Sequence, residues 1–307
     1  MLSTSDGSNS FSVVNIPTIS GAVSQITCAN STVCVAVVLE QTNTGDASDF
    51  LTSSDAGATW TLSDSSSLAT NDYVEVASLV CPTATRCYAA YDTMAASQSA
   101  VASGHIAVSN DAGATWSDMP VPSNLEYVTG LSCPTAVTCL AVGGSKVSTA
   151  LHATTLRLSN SSWSTVSTIS SPGLFDSVSC FSATTCVGGL GTNTKIGALY
   201  QTLNGGITWT KAVVPSTGMV ESVACVSMSR CMAVSSATVK NKYVTTIWTT
   251  TNGTKWTILP TTQFQTASGA SALSNLALVS AVDSSHFIFT SDSYSNPALA
   301  IWEPMAS

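Results

Sequence analysis

SSDAGATW, residues 53–60, and SNDAGATW, residues 109–116, are near copies of one another. TLNGGITW (202–209) is a close third, TTNGTKW (250–256) is one residue shorter, and SNSSW (159–163) keeps only the ends. Five cysteine pairs stand in register with these stretches: Cys28/Cys34, Cys81/Cys87, Cys133/Cys139, Cys180/Cys186 and Cys225/Cys231. Successive pairs begin 53, 52, 47 and 45 residues apart, which is the length of a four-stranded propeller blade. Between the landmarks, segments such as CVAVVL (34–39), HIAVS (105–109) and YVTTIWT (243–249) are short, rich in β-branched residues and bounded by Ser/Thr/Asn/Gly clusters. That pattern reads as strands throughout. No stretch keeps a helical period, and none reaches 18 apolar residues in a row.

The repeated octapeptide has a local logic. Its Asp can accept backbone N–H bonds within a tight turn, its Gly supplies a positive φ, and its Trp opens the next strand with a large ring to bury. Asp55 and Asp111 are therefore read as turn formers rather than catalysts. The pattern Ser/Thr-x-Asp-x-Gly-x-Thr-Trp resembles the Asp-box, or BNR, repeat of sialidase-type β-propellers, and its recurrence at blade spacing extends the resemblance over nearly the whole chain. The resemblance implies a fold more than a function, because the box is a structural turn.

A sixth unit lacks cysteines but keeps the spacing. LVSAVDSSHFIFT (278–290) aligns with SVACVSMSRCMAV (222–234), placing Ala281 and Phe287 at the cysteine positions. One more strand, ALAIWEP (298–304), follows where an Asp box would next be due. The opening TSDGSNSFSVVNIP (4–17) carries that box and a strand after it. The expected fold is an all-β, six-bladed propeller of four-stranded antiparallel blades, one domain over 1–307. Residues 4–17 are expected to close the ring as the outer strand of the sixth blade.

Cysteines in strictly local pairs argue for disulfides and an oxidising compartment, hence a secreted or cell-surface protein. The spacing is poor for zinc, and only three histidines exist. MLSTSDGS has neither a basic start nor an apolar core, so the chain is read as a mature or excised form of an exported protein. Charged residues make up 8% of the chain, against about 25% in ordinary soluble domains. Ser and Thr number 51 and 42 of 307, so hydroxyls rather than ions hydrate the surface. The net charge of −8 excludes nucleic acid and anionic membranes as natural partners, and no membrane insertion is expected.

In a propeller of this repeat, the A–B hairpins and the C–D turns share one face. The D-to-A links and B–C loops make the other, which the resemblance implies as the active face. Glu75, Glu126, Asp176 and Glu221 stand at the entrances to four successive inner strands, with Tyr73 and Tyr127 beside the first two. Close carboxylates of this kind can hold a cation, act as an acid/base pair on a glycosidic bond, or simply solvate a channel mouth. No other cofactor or metal is expected. The B–C loops divide by sign: Glu40, Asp46, Asp49, Asp92 and Asp292 on blades one, two and six, and Lys146, Lys195, Lys240 and Lys242 on blades three to five.

Sialidases use three arginines, a Tyr/Glu nucleophile pair and an acid/base Asp. Here the only arginines are Arg86 and Arg230, in A–B hairpins, and Arg157, in a C strand. Their arrangement does not support sialidase activity. His105, His152 and His286 fall in different repeats without ligand spacing. The reading is a non-catalytic propeller that binds a glycan or a protein across its D–A/B–C face. A glycoside hydrolase or lyase using the axial carboxylates is the alternative, and a self-assembling subunit of a surface layer or fibre is the second.

Overall fold

A computed structural model describes residues 2–3, 12–19, 21–42, 45–63, 68, 72–95, 103–191, 197–214, 218–239, 242–260, 264–266, 276–281, 286–291 and 299–302. Among them, five sheets are regular propeller blades whose four antiparallel strands lie side by side in chain order. The first holds β3 (Ala22–Cys28), β4 (Cys34–Thr42), β5 (Gly45–Ser53) and β6 (Thr61–Leu62), and the second β7 (Asp72–Val80), β8 (Cys87–Ala95), β9 (Ser103–Ser109) and β10 (Ser117–Asp118). The third holds β11 (Leu125–Thr135), β12 (Thr138–Val147), β13 (Ala150–Ser159) and β14 (Ser162–Pro172). The fourth holds β15 (Leu174–Cys180), β16 (Cys186–Gly191), β17 (Ala198–Thr202) and β18 (Thr210–Lys211), and the fifth β19 (Met219–Ser227), β20 (Arg230–Val239), β21 (Lys242–Thr250) and β22 (Trp256–Ile258). The chain divides into two compact units, Met1–Cys139 with Leu158–Ser164, and Leu140–Arg157 with Thr165–Ser307.

The last sheet breaks the pattern. It is built from β23 (Phe264–Thr266), β24 (Leu276–Ala281), β25 (Phe287–Ser291) and β26 (Leu299–Trp302) in the order β23-β26-β25-β24. The six-bladed ring closed by the N-terminal strand is thereby corrected: the regular blades number five, and the N-terminal strand completes none of them. Ser12–Val13 (β2) pairs instead with Leu2–Ser3 (β1). The outer edge of β26 is taken by Phe264, Gln265 and Thr266, opposite Trp302, Ile301 and Ala300. The physical reason is proximity along the chain. A free edge needs a partner, and a segment one short excursion away closes the smaller loop. Within this sheet Ala281 does pair with Phe287, as Cys28 pairs with Cys34, Cys180 with Cys186 and Cys225 with Cys231, and Phe287 is fully buried.

All ten cysteines are bridged, each pair inside its own hairpin: Cys28–Cys34, Cys81–Cys87, Cys133–Cys139, Cys180–Cys186 and Cys225–Cys231. The second strand of each blade is buried on both faces. Val35, Ala36, Val37 and Val38 have no exposed surface, and such continuous apolar runs mark strands covered on both sides. Aromatic rings join neighbouring sheets: Trp116 stacks on Phe50 at 4.4 Å, and Trp163 meets Tyr88 edge-on at 6.1 Å.

Two devices recur. The first is a bulge in the inner strand, between Val23/Gln25, Val76/Ser78, Phe175/Ser177, Val220/Ser222 and Leu276/Leu278. The residue just after it reaches the next sheet. Gln25 Nε2 donates to the Val76 and Ala77 carbonyls at 3.2 and 2.8 Å. Ser78, Ser177 and Ser222 accept from the N–H groups of Leu131, Val223 and Val279 at 3.0, 3.0 and 3.1 Å. The second device is the octapeptide turn. Ser53 Oγ donates to Asp55 Oδ1 at 2.8 Å and accepts from the Gly57 N–H at 2.9 Å. Asp55 Oδ1 accepts from the Thr59 N–H, and Trp60 Nε1 donates to the Gly57 carbonyl. Bonds from the Thr59 side chain and backbone hold the exposed Asp55 down to about 2. Two residues, not one, take left-handed backbone: Ala56 (φ 63°) with Gly57 (80°), and Ala112 (61°) with Gly113 (87°). The third sheet has no such turn. Asn160 and Ser161, both at positive φ (49° and 64°), make a two-residue hairpin there.

Candidate functional site

Counting back from the cysteines separates the four candidate acids. Asp176 and Glu221 both stand four residues before the first cysteine of their repeat, whereas Glu75 stands six before and Glu126 seven. Four before is the bulge position. Asp176 and Glu221 are thus the residues inserted at the irregularities of β15 and β19, on equivalent sites of the fourth and fifth sheets. A bulge re-aims its side chain out of the strict alternation of the strand, and here it sets two carboxyl groups within electrostatic reach.

Burial pushes Asp176 up to about 7, the Glu221 charge pushes in the same direction, and a backbone bond to Gly191 opposes both. The space beside Asp176 is reserved for it: a Cβ on Gly191 would fall 1.9 Å from Oδ2. No protein group bonds that buried Oδ2 atom. Glu221 Oε1 accepts from the Ser236 hydroxyl. One member of the pair is therefore held partly protonated near neutrality, beside an acid tied to the neighbouring strand.

A second acidic pair lies in the second sheet. Glu75, exposed, is opposite Asp92 across β7 and β8. Burial, followed by a smaller opposing bond from the Val128 N–H and by the Glu75 charge, brings Asp92 up to about 7. Its Oδ1 accepts from that N–H, on β11, at 3.0 Å. Reading Asp92 only as part of an acidic loop surface missed this. Its place across the ladder from Glu75 follows from strand register, which spacing from the cysteines could have supplied.

Glu126 and Tyr127 are half-buried on β11. Tyr73 lies on β7 with its backbone opposite Met94. Lys146 is exposed on β12, opposite Leu151. Lys242 pairs with Val239 at the start of β21. Lys195, Lys240 and Asp292 lie outside the described residues. Among the described residues, no three His, Cys, Asp or Glu side chains gather as a metal site.

Two of the arginines serve turns. Arg157 Nη2 donates to the carbonyls of Asn204 (2.8 Å) and Gly205 in the fourth sheet's turn. Arg86 donates through Nε and Nη2 to Asn110 Oδ1 at 3.0 and 2.9 Å. One cluster escaped the sequence reading: His105 stacks on Tyr91 at 5.0 Å, and Tyr91 donates its hydroxyl proton to Asp118. Burial, then the Asp118 bond, raises the Tyr91 phenol far above its ordinary range.

The chain matches no protein-family model and no curated protein. Its likeness is to solved structures. A protein of unknown function from Dyadobacter fermentans DSM 18053 aligns over 95% of this chain and 97% of its own, with TM-score 0.63 and 13% identity. YCF48 from Cyanidioschyzon merolae aligns over 96% and 98%, with TM-score 0.57 and 14% identity. The GH74 enzyme of Niastella koreensis aligns over 88% of this chain but 44% of its own, with TM-score 0.58 and 11% identity. Sialidases are also among the neighbours. At these identities the likeness establishes the propeller fold alone.

Proposed function

We propose that the chain is an exported Asp-box propeller that binds a neutral glycan, with the Asp176–Glu221 pair at the centre of contact and the D–A links and B–C loops around it. The observation that carries this reading is the buried pair on matched bulges, one member raised to about 7 with an oxygen that no protein group bonds. A carboxylic acid beside a carboxylate offers both a donor and acceptors, which suits sugar hydroxyls. Five disulfides fit an oxidising, extracellular setting. The engagement of Arg86 and Arg157 with turns supports a reading without the sialidase arginine clamp.

A hydrolase reading draws on the same pair, since a general acid must be protonated near working pH, and a GH74 enzyme is among the neighbours. A peptide ligand draws on the neighbour YCF48 bound to D1 peptide. Glycan-array binding and a reducing-end assay, run on the native chain, Asp176→Asn and Glu221→Gln, decide among them. The expected result is glycan binding weakened at least about tenfold in both variants, a loss of ~1.4 kcal/mol or more, with both variants keeping the native circular dichroism spectrum. Glycan binding untouched by either substitution refutes the proposal. Glycan cleavage lost in both variants would transfer it to the hydrolase.

A further inference from the structure

Asp176 and Glu221 occupy matched bulges, but the groups that face them across the ladder differ. The residue two before each bulge fixes the comparison: Leu174 pairs with Gly191 in the fourth sheet, and Met219 with Ser236 in the fifth. Gly191 and Ser236 are therefore one position of the repeat, glycine in one sheet and serine in the next. Each meets the bulge acid of its own sheet. Gly191 offers Asp176 a backbone bond and no side chain, and a Cβ there would fall 1.9 Å from Asp176 Oδ2. Ser236 is buried and donates its hydroxyl proton to Glu221 Oε1.

The two surroundings favour opposite forms of a carboxyl group. A hydrogen bond given to a carboxylate oxygen favours the charged form. At Asp176 the point 1.9 Å from Oδ2 also lies 2.7 Å from Met219 Cγ, so a thioether side chain stands beside an oxygen that no protein group bonds. Apolar surroundings favour the neutral acid. Acids this close titrate as a pair, and the proton they share rests on the member whose charge is less well supported.

We propose that Ser236 is a positioning residue: its hydroxyl holds Glu221 as the carboxylate and leaves the proton of the pair on Asp176, fixing which acid donates to a ligand and which accepts. This deepens the glycan reading, and rests on it for the pair being the place of contact. The strands packed against β15 and β19 carry five other ionisable side chains: Lys146, His152, Arg157, Tyr200 and Arg230. Arg157 grips the fourth sheet's turn, His152 Nδ1 lies 3.1 Å from the Ile169 carbonyl oxygen, and Arg230 pairs with Ser227 at the far end of β20. Lys146 is exposed, and Tyr200 stands edge-on to Phe175. Among the described residues, the charge that acts on Asp176 is Glu221.

Carbon-13 NMR of the carboxyl groups over about pH 4–9, without ligand, tests this. Spectra of Asp176→Asn and Glu221→Gln assign the two carbons. In the native chain the Asp176 carbon should move alone through a step near 7, while the Glu221 carbon keeps the shift of a carboxylate. Ser236→Ala, and Ser236→Gly, which copies the matched position of the fourth sheet, should make both carbons move through one step. Ser236→Thr keeps a hydroxyl and should return the step to Asp176 alone. A native chain in which the Glu221 carbon carries or shares the step overturns the proposal before any change at Ser236. So does a Ser236→Ala or Ser236→Gly chain that titrates like the native one, or a Ser236→Thr chain that titrates like Ser236→Ala. Glycan takes no part in the titration, which separates the two readings. An Asp176-only step in a chain that binds no glycan fells the glycan reading and leaves the proton where it is assigned; a shared step in a chain that binds glycan does the reverse.

Discussion

Replacing Gly113 by alanine, and separately Gly57, divides two costs that the octapeptide turn combines. Both glycines have left-handed backbone, φ 87° and 80°, and an L side chain there costs about 1–2 kcal/mol. The new methyl group meets different surroundings. At Gly57 its nearest neighbour is the ring of Trp60 at 3.4 Å, an ordinary contact. At Gly113 it falls 2.8 Å from Val35 Cγ2 and 3.1 Å from both Val35 Cγ1 and Thr52 Cγ2. Val35 is fully buried and cannot give way cheaply, and overpacking of this kind costs about 1–3 kcal/mol. Gly57→Ala should therefore lose about 1–2 kcal/mol and Gly113→Ala about 2–5 kcal/mol, the difference being the seat on the first sheet. Equilibrium unfolding in guanidinium with disulfides intact measures both. Val35→Ala added to Gly113→Ala should return part of the excess, giving a coupling that Gly57→Ala lacks. Equal losses at the two glycines, or no coupling with Val35, would refute the seating of one blade's turn on the sheet before it.

Two further outcomes follow from the same structure. Asp92 and Asp176 have folded values raised to about 7. The stability they contribute is full below the unfolded carboxylate range and is lost as pH rises through about 7, so the thermal midpoint should fall between pH 4 and 8. Each contributes on the order of 2–4 kcal/mol over that span, and Asp92→Asn or Asp176→Asn should flatten the profile accordingly; a midpoint that rises with pH contradicts the burial of these acids. Ser177→Ala leaves the Val223 N–H without the hydroxyl it bonds at 3.0 Å, so denaturant titration should show a loss of about 1–3 kcal/mol, against near neutrality if the link is incidental.

The five regular blades were legible because cysteine spacing and the octapeptide report one period independently. The last sheet was not, since only the free edge of β26 makes Phe264–Thr266 a strand. SNSSW read as a remnant of the longer turn, although two consecutive left-handed residues make it a complete hairpin of another type. The acids show the same limit. Strand entrances grouped Glu75, Glu126, Asp176 and Glu221 together, but a bulge shifts facing by one residue, and facing decides which carboxyl groups meet. Asp176 with Glu221, and Glu75 with Asp92, are pairs made by register, which a list of acidic positions does not contain.

The links that run from the bulge to the next sheet have a consequence for habitat. Gln25, Ser78, Ser177 and Ser222 join neighbouring inner strands through amide and hydroxyl groups bonded to backbone. An ionic atmosphere acts on charges, and these joints present none to it. Fresh water and brine therefore leave these hydrogen-bonded joints between one sheet and the next at the same strength.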